Sequence, residues 1–293
     1  MSNAMPTFDL HTHIISPDTE KYPAKPMGGN RSTWSTERPA TLDELLREMD
    51  SAGVDKAAVV QAATMYGFDN RYVADSLAAH ADRLIGVCSI DLVAQDALAQ
   101  LDYWVGERGF AGVRIRAADG TTPVGGSAAG LDDPRLDPVW ERLAAQRIPV
   151  CIQMHSQNAP TLASVLTKYP DVVIALDHGA RPRLAGGPPY AELSELFELA
   201  KFPNVYLKIT SVTIRRAAGE PDGDPAKLIA RLAEGFGADH LAWGSNFPAS
   251  QGNLAELRTL AEENFAGLGD AERADLLGGT AARIYPQLAA RPS

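Results

Sequence analysis

The sequence predicts a closed barrel of eight parallel strands wrapped by helices, a (β/α)8 or TIM barrel, formed as a single domain with long loops at its strand ends. Three observations carry this. Short, nearly continuous apolar runs alternate with amphipathic helical segments; eight such runs can be counted; and polar residues collect at the carboxyl ends of the runs. The length of 293 residues suits one such domain, because repetitive α/β barrels of roughly 250 residues form around one core. An open doubly wound sheet is the fallback, and the absence of a Gly-rich G-x-G-x-x-G turn after the first strand argues against it.

The opening "MSNAM" reads as an expression-vector remnant, which puts the tag at residues 1–4 and the domain at 5–293. Strand one is "FDLHTHI". The Pro-, Gly- and Ser-rich stretch from Ser16 to Ala40, containing Trp34, is too long for a simple connector and suits a loop that covers a site. Thr41 with Glu44 three residues on forms a capping-box signal, and "TLDELLREMDSAGV" follows with helical spacing and a glycine stop. "KAAVVQAA" is the second strand; a helix near "NRYVADSLAAHAD", strand "LIGVCSID", helix "DALAQLDYWVGER" and strand "FAGVRIRA" continue the alternation.

The second half repeats the scheme. Helix "PRLDPVWERLAAQ" leads to strand "PVCIQMH", helix "APTLASVLTKY" to "VVIALDH", helix "AELSELFELAKF" to "VYLKITS", and helix "PAKLIARLAEGF" to "LAWGSN". Helices "NLAELRTLAEENF" and "DAERADLLGGTAARIY" finish the chain. The glycine-rich run "GTTPVGGSAAGLDDP" after strand four suits either a lid or a tolerated insertion.

Composition narrows the partners. Twenty-seven basic against 37 acidic side chains give a net charge of -10, which disfavours nucleic acid and anionic membrane surfaces and favours a small molecule. Cys88 and Cys151 each lie in an apolar strand-like run, so both are expected as buried thiols in a reducing cytoplasm. No apolar stretch reaches the roughly 20 residues a membrane span needs. If the chain self-associates, a homodimer is the assembly to expect.

In such barrels chemistry sits where strands end. The strand-terminal polar residues are His11 and His13, Arg114 and Arg116, His155, Asp177 and His178, Lys208 and Asn246; of the six histidines, four fall here and His80 and His240 do not. Side chains two apart on a strand share a face about 7 Å apart, so two imidazoles can converge on one ion. Asp9, one layer deeper on that face, could fix an imidazole tautomer. Arg114 and Arg116 alternate onto one face; their planar donor forks suit a carboxylate, and an internal ion pair is the equal alternative. Lys208, Arg215 and Arg183 could extend an anion site, with Arg181 beside it, and Trp34 and Tyr66 could supply pocket walls, while Trp243 reads as barrel packing.

At this point the chain resembles the amidohydrolase superfamily, in particular its branch of lactonases of the 2-pyrone-4,6-dicarboxylate and sulfomuconolactone type. "DLHTHI", "GFAGVRI", "VYLKIT", "WGSNFP" and "GGTAARIYP" carry the resemblance across nearly the whole chain. It implies hydrolysis of a lactone or similar cyclic ester, with a carboxylate-bearing small molecule as substrate. It also implies that His11, His13 and His155, with Asn246, would bind a divalent ion such as zinc or manganese where one is present, some such lactonases working without metal. His178 would orient the attacked carbonyl or the water. A decarboxylase of the same barrel family is the nearest alternative, and a catalytically silent ligand-binding barrel the alternative from another class.

One position departs from the pattern. The family has aspartate as general base where this chain has Asn246, and an amide cannot accept a proton at neutral pH. Two readings stand side by side: a replacement introduced to trap a ligand, or a natural asparagine working beside another base such as Asp177 or His178.

Overall fold

The computed structural model describes residues 6–117 and 130–289. The tag expected at residues 1–4 and most of the glycine-rich run after strand four lie outside them. Eight strands form one parallel sheet in chain order: β1 Phe8–Thr12, β2 Lys56–Val60, β3 Leu84–Ser89, β4 Gly112–Arg116, β5 Val150–Gln153, β6 Ile174–Leu176, β7 Val205–Thr210 and β8 Leu241–Gly244. The sheet closes on itself where β1 meets the end of β8. There the His13 amide donates to the Phe247 carbonyl, and the Asn246 amide to that of His11, both at 2.8 Å. The chain is a single-domain (β/α)8 barrel. No helix among the described residues is long and apolar enough to cross a membrane.

Two apolar layers hold it together. The outward faces of the strands, including Val59, Val113, Ile152, Leu207 and Trp243, pack against the helices. The inward faces carry smaller residues, Ala58, Ala175 and Ala242 among them, and Ile284, Tyr285 and Leu288 from the chain's last helical segment stopper the barrel at the strands' amino ends. Gly244 is required by a close approach: a Cβ there would meet His11 Cβ at 2.8 Å.

The helix after Thr41 forms as expected, Leu42–Ala52, with both halves of the capping box present and Gly53 left-handed at its end. Other elements differ from the sequence reading. "AELSELFELAKF" makes only short turns, Ala191–Leu193 and Ser194–Phe197, then continues in three-residue hydrogen-bonded turns. A helix at Ser211–Ala218, not anticipated, follows β7 directly and carries Arg215 and Arg216 in its last turn. β6 stops at Leu176, so Asp177 and His178 belong to the turn beyond it, and β5 stops two residues short of His155.

Candidate active site

β1 contains a bulge, because Asp9 pairs with Ala57 but Thr12 with Val59. Three steps on one strand oppose two on the other, which re-aims the side chains between them. Leu10 therefore joins the apolar interior beside Ala58 and Val60, while His11 also reaches inward to Asp177, at 3.3 Å from Nδ1 to Oδ1. Asp9 consequently does not orient an imidazole. Its Oδ1 accepts the backbone amides of His11 at 3.0 Å and Ser245 at 2.9 Å, tying β1 to β8.

A buried charged group lies beneath the mouth. Asp177 accepts Arg114 Nε at 2.8 Å, and Lys208 Nζ stands 3.2 Å from its other oxygen and 2.9 Å from Cys151 Sγ. Cys151 in turn touches the Tyr285 hydroxyl at 3.2 Å. Burial alone would raise the Asp177 carboxyl, but Lys208, His11 and Arg114 hold it well below the usual carboxylate range. Burial opposes the Lys208 charge, yet Asp177 keeps its ammonium above the ordinary value. Lys208 is fully buried and lines no cavity at the mouth, contrary to its expected part in an anion site.

Above this group opens a cavity of about 180 Å³. Its polar wall comprises Arg114, Arg116 and Arg181 with His13, His178, Gln153, Asn246 and Thr64, and among the described residues no carboxylate lines it. His13 Nδ1 lies 2.7 Å from the Val60 carbonyl and its ring stacks on Trp34 at 5.2 Å between centroids. A carbonyl only accepts, so Nδ1 carries the proton and Nε2 is an open acceptor. His178 Nδ1 meets the Thr210 hydroxyl at 2.8 Å. Burial, reinforced by neighbouring guanidinium charge, pushes both imidazoles down to about 3, so both are neutral at physiological pH.

Local backbone makes this wall. His178, Gly179, Ala180 and Arg181 have φ of 56, 61, 59 and 44°. A run of four left-handed residues, each costing about 1–3 kcal/mol where it is not glycine, brings His178 and Arg181 to one cavity. Arg183, two residues on, instead reaches Gln157 at 3.0 Å outside it. Arg215 donates to the Gln251 carbonyl on the exposed side, and Tyr66 is buried with its hydroxyl accepting the Ser16 amide. His155 and His11 do not line the cavity either. Of the expected site residues, Arg114, Arg116, His13, His178, Asn246 and Trp34 line the cavity, and the buried His11 packs against two of them, its ring centroid 5.0 Å from those of His13 and His178; Lys208, Arg215, Arg183, Tyr66 and His155 do not line it. Gln153 and Arg181 complete the wall. Strand alternation from Cys151 could have found Gln153, since the two share a face.

The donor set for a divalent ion is thin. Both nitrogens of the sealed His11 lack a hydrogen-bond partner, as does Asp177 Oδ1, but Asp177 is already committed to Arg114 and Lys208, and His155 stays outside. Among the described residues no three His, Cys, Asp or Glu side chains are placed to hold a metal. His11 packs against His13 and His178 with centroids 5.0 Å apart, but the three are not placed to share an ion, and the positive charges of Arg114 and Lys208 beside them disfavour a retained dication. Elemental analysis of the protein purified without added metal is therefore expected to give well under one equivalent of zinc or manganese, with an unchanged melting temperature after EDTA dialysis. A full equivalent surviving gel filtration would contradict this.

A barrel with imidazole, guanidinium and amide groups converging at the carboxyl ends of its strands defines a class of small-molecule enzymes. The amidohydrolase family model matches residues 8–287, and the chain belongs to that family. It is 28% identical over 265 residues to the L-fucono-1,5-lactonase of Burkholderia ambifaria, covering 84% of this chain and 88% of that protein. It is 27% identical to the 4-sulfomuconolactone hydrolase of Rhizobium radiobacter, covering 83% of this chain and 76% of the relative. A crystal structure of a candidate 2-pyrone-4,6-dicarboxylic acid hydrolase from Pseudomonas putida superposes with a TM-score of 0.77 at 23% identity, over 97% of this chain and 98% of that one.

Proposed function

We propose that the protein hydrolyses a lactone that bears a carboxylate, at the cavity between His13 and His178. The observation that carries this reading is a small cavity with three arginines, two neutral imidazoles and no lining carboxylate among the described residues. The lactonase names of the curated relatives support the same reaction. Arg116 and Arg181 hold the substrate's carboxylate, with Arg114, fixed by Asp177, adding charge from below. Attacking water is held by Nε2 of His13 and the amide of Asn246. His13 takes the water's proton as the bond forms and returns it to the ring oxygen as the ring C–O bond breaks; burial and then guanidinium charge disfavour the imidazolium, and the bound carboxylate offsets the second of these. His178 faces the ring carbonyl and stabilises the oxyanion. The buried thiols Cys88 and Cys151 support a cytoplasmic setting, and we propose a homodimer as the assembly.

Paired lactones, one with and one without a carboxylate, test this. In the Arg181→Leu variant KM for the acidic lactone should rise about 10- to 100-fold, the worth of a lost charge-assisted hydrogen bond, with the neutral lactone changed less than about threefold and Arg183→Leu near wild type. Equal losses for both lactones would remove the anion-binding role. Tight binding without turnover of any lactone would favour a silent barrel, and carbon dioxide release from an aromatic acid a decarboxylase.

A further inference from the structure

Three contacts run in file from the cavity wall into the protein. Asn246 Nδ2 lies 3.0 Å from Ser250 Oγ, Ser250 Oγ lies 2.6 Å from Ser211 Oγ, and Ser211 Oγ lies 2.7 Å from the Ser245 carbonyl oxygen. All four residues are buried. Two buried oxygens this close need a proton between them, since bare lone pairs facing each other repel and leave polar atoms unpaired.

The count of protons is decisive. The Ser245 carbonyl has none to give, and each serine hydroxyl supplies one. Three contacts need three protons, so the third must come from residue 246. An amide NH2 provides it; an ionised carboxylate does not. The file therefore has one direction: Asn246 donates to Ser250, Ser250 to Ser211, and Ser211 to the carbonyl.

The backbone fixes residue 246 as well. Its amide donates to the His11 carbonyl, its carbonyl accepts from the Ser250 amide, each at 2.8 Å, and its φ of 61° is a conformation that asparagine and aspartate both tolerate, so the hydroxyl contacts alone separate the two. We infer that position 246 is built for an amide, and that Ser250 and Ser211 are positioning residues that turn Asn246 Nδ2 into the wall and leave Oδ1 as its acceptor at the cavity. Asparagine is thus the residue its surroundings fit, rather than an intrusion into a site made for a carboxylate. The inference stands on the hydroxyl contacts and is independent of the lactone reading.

A double-mutant cycle on the full-length protein tests it, with urea unfolding at pH 8 as the readout. Asn246→Asp in the wild-type background should raise the unfolding equilibrium constant roughly tenfold or more, the cost of a buried contact left without its proton. In the Ser250→Ala background two of the three contacts are gone, and the same change should cost less than about threefold. Ser211→Ala provides an independent cycle if Ser250→Ala does not fold. It releases the Ser250 proton to the carboxylate, so Asn246→Asp should again be tolerated. An equal cost of Asn246→Asp in all backgrounds overturns the inference.

Discussion

Replacing His178 by alanine is expected to lower kcat for an acidic lactone by about 10²–10³-fold while leaving KM within a few-fold, because in the proposed reaction the group removed faces charge that exists only in the transition state. The ring has few alternatives to that role. Its Nδ1 is taken by the Thr210 hydroxyl at 2.8 Å, and the left-handed turn through Arg181 fixes where the ring stands. Burial holds it neutral, with its titration pushed down to about 3. Steady-state kinetics on one lactone decide the matter. A loss confined to KM would make His178 a binding residue, and no loss in either parameter would move the oxyanion to another part of the cavity.

Lys208→Met destabilises the fold by about 3–5 kcal/mol, the typical cost of removing one partner from a buried ion pair. The ammonium is fully enclosed between Asp177 at 3.2 Å and Cys151 at 2.9 Å. Its loss leaves one Asp177 oxygen without its cation in a part of the barrel that water does not reach. The urea midpoint reads the effect directly, and a thermal melt should fall by roughly 10 °C for a chain of this size. A variant within about 1 kcal/mol of wild type would mean that Arg114 alone satisfies Asp177. Because Lys208 lies outside the cavity, substrate discrimination between acidic and neutral lactones should survive the change, which separates its role from that of Arg181.

The barrel was readable because parallel strands buried on both faces must be apolar along their length. Helix starts such as Thr41 with Glu44 were readable because capping is local chemistry. The pairing of Arg114 with Arg116 followed from alternation alone. What escaped depends on relations between distant segments. The β1 bulge exists only in the register of β1 against β2, so Asp9 and His11 could not be placed from their spacing. Arg181 and Arg183 are indistinguishable as letters, yet four left-handed residues carry one into the cavity and leave the other outside. His155 looked equivalent to the other strand-end histidines until β5 stopped at Gln153. Lys208 resembled a substrate contact because nothing in "VYLKIT" announces that Asp177 and Cys151 enclose it.

The stopper formed by Ile284, Tyr285 and Leu288 fills the amino-terminal end of the packed barrel, and the cavity lies at the other end. In the proposed reaction, opening a lactone creates a new carboxylate, so what departs carries one more negative charge than what arrived, and it leaves past the guanidinium groups proposed to hold its precursor. At low ionic strength that attraction retards escape of the opened acid, and added salt is expected to loosen it.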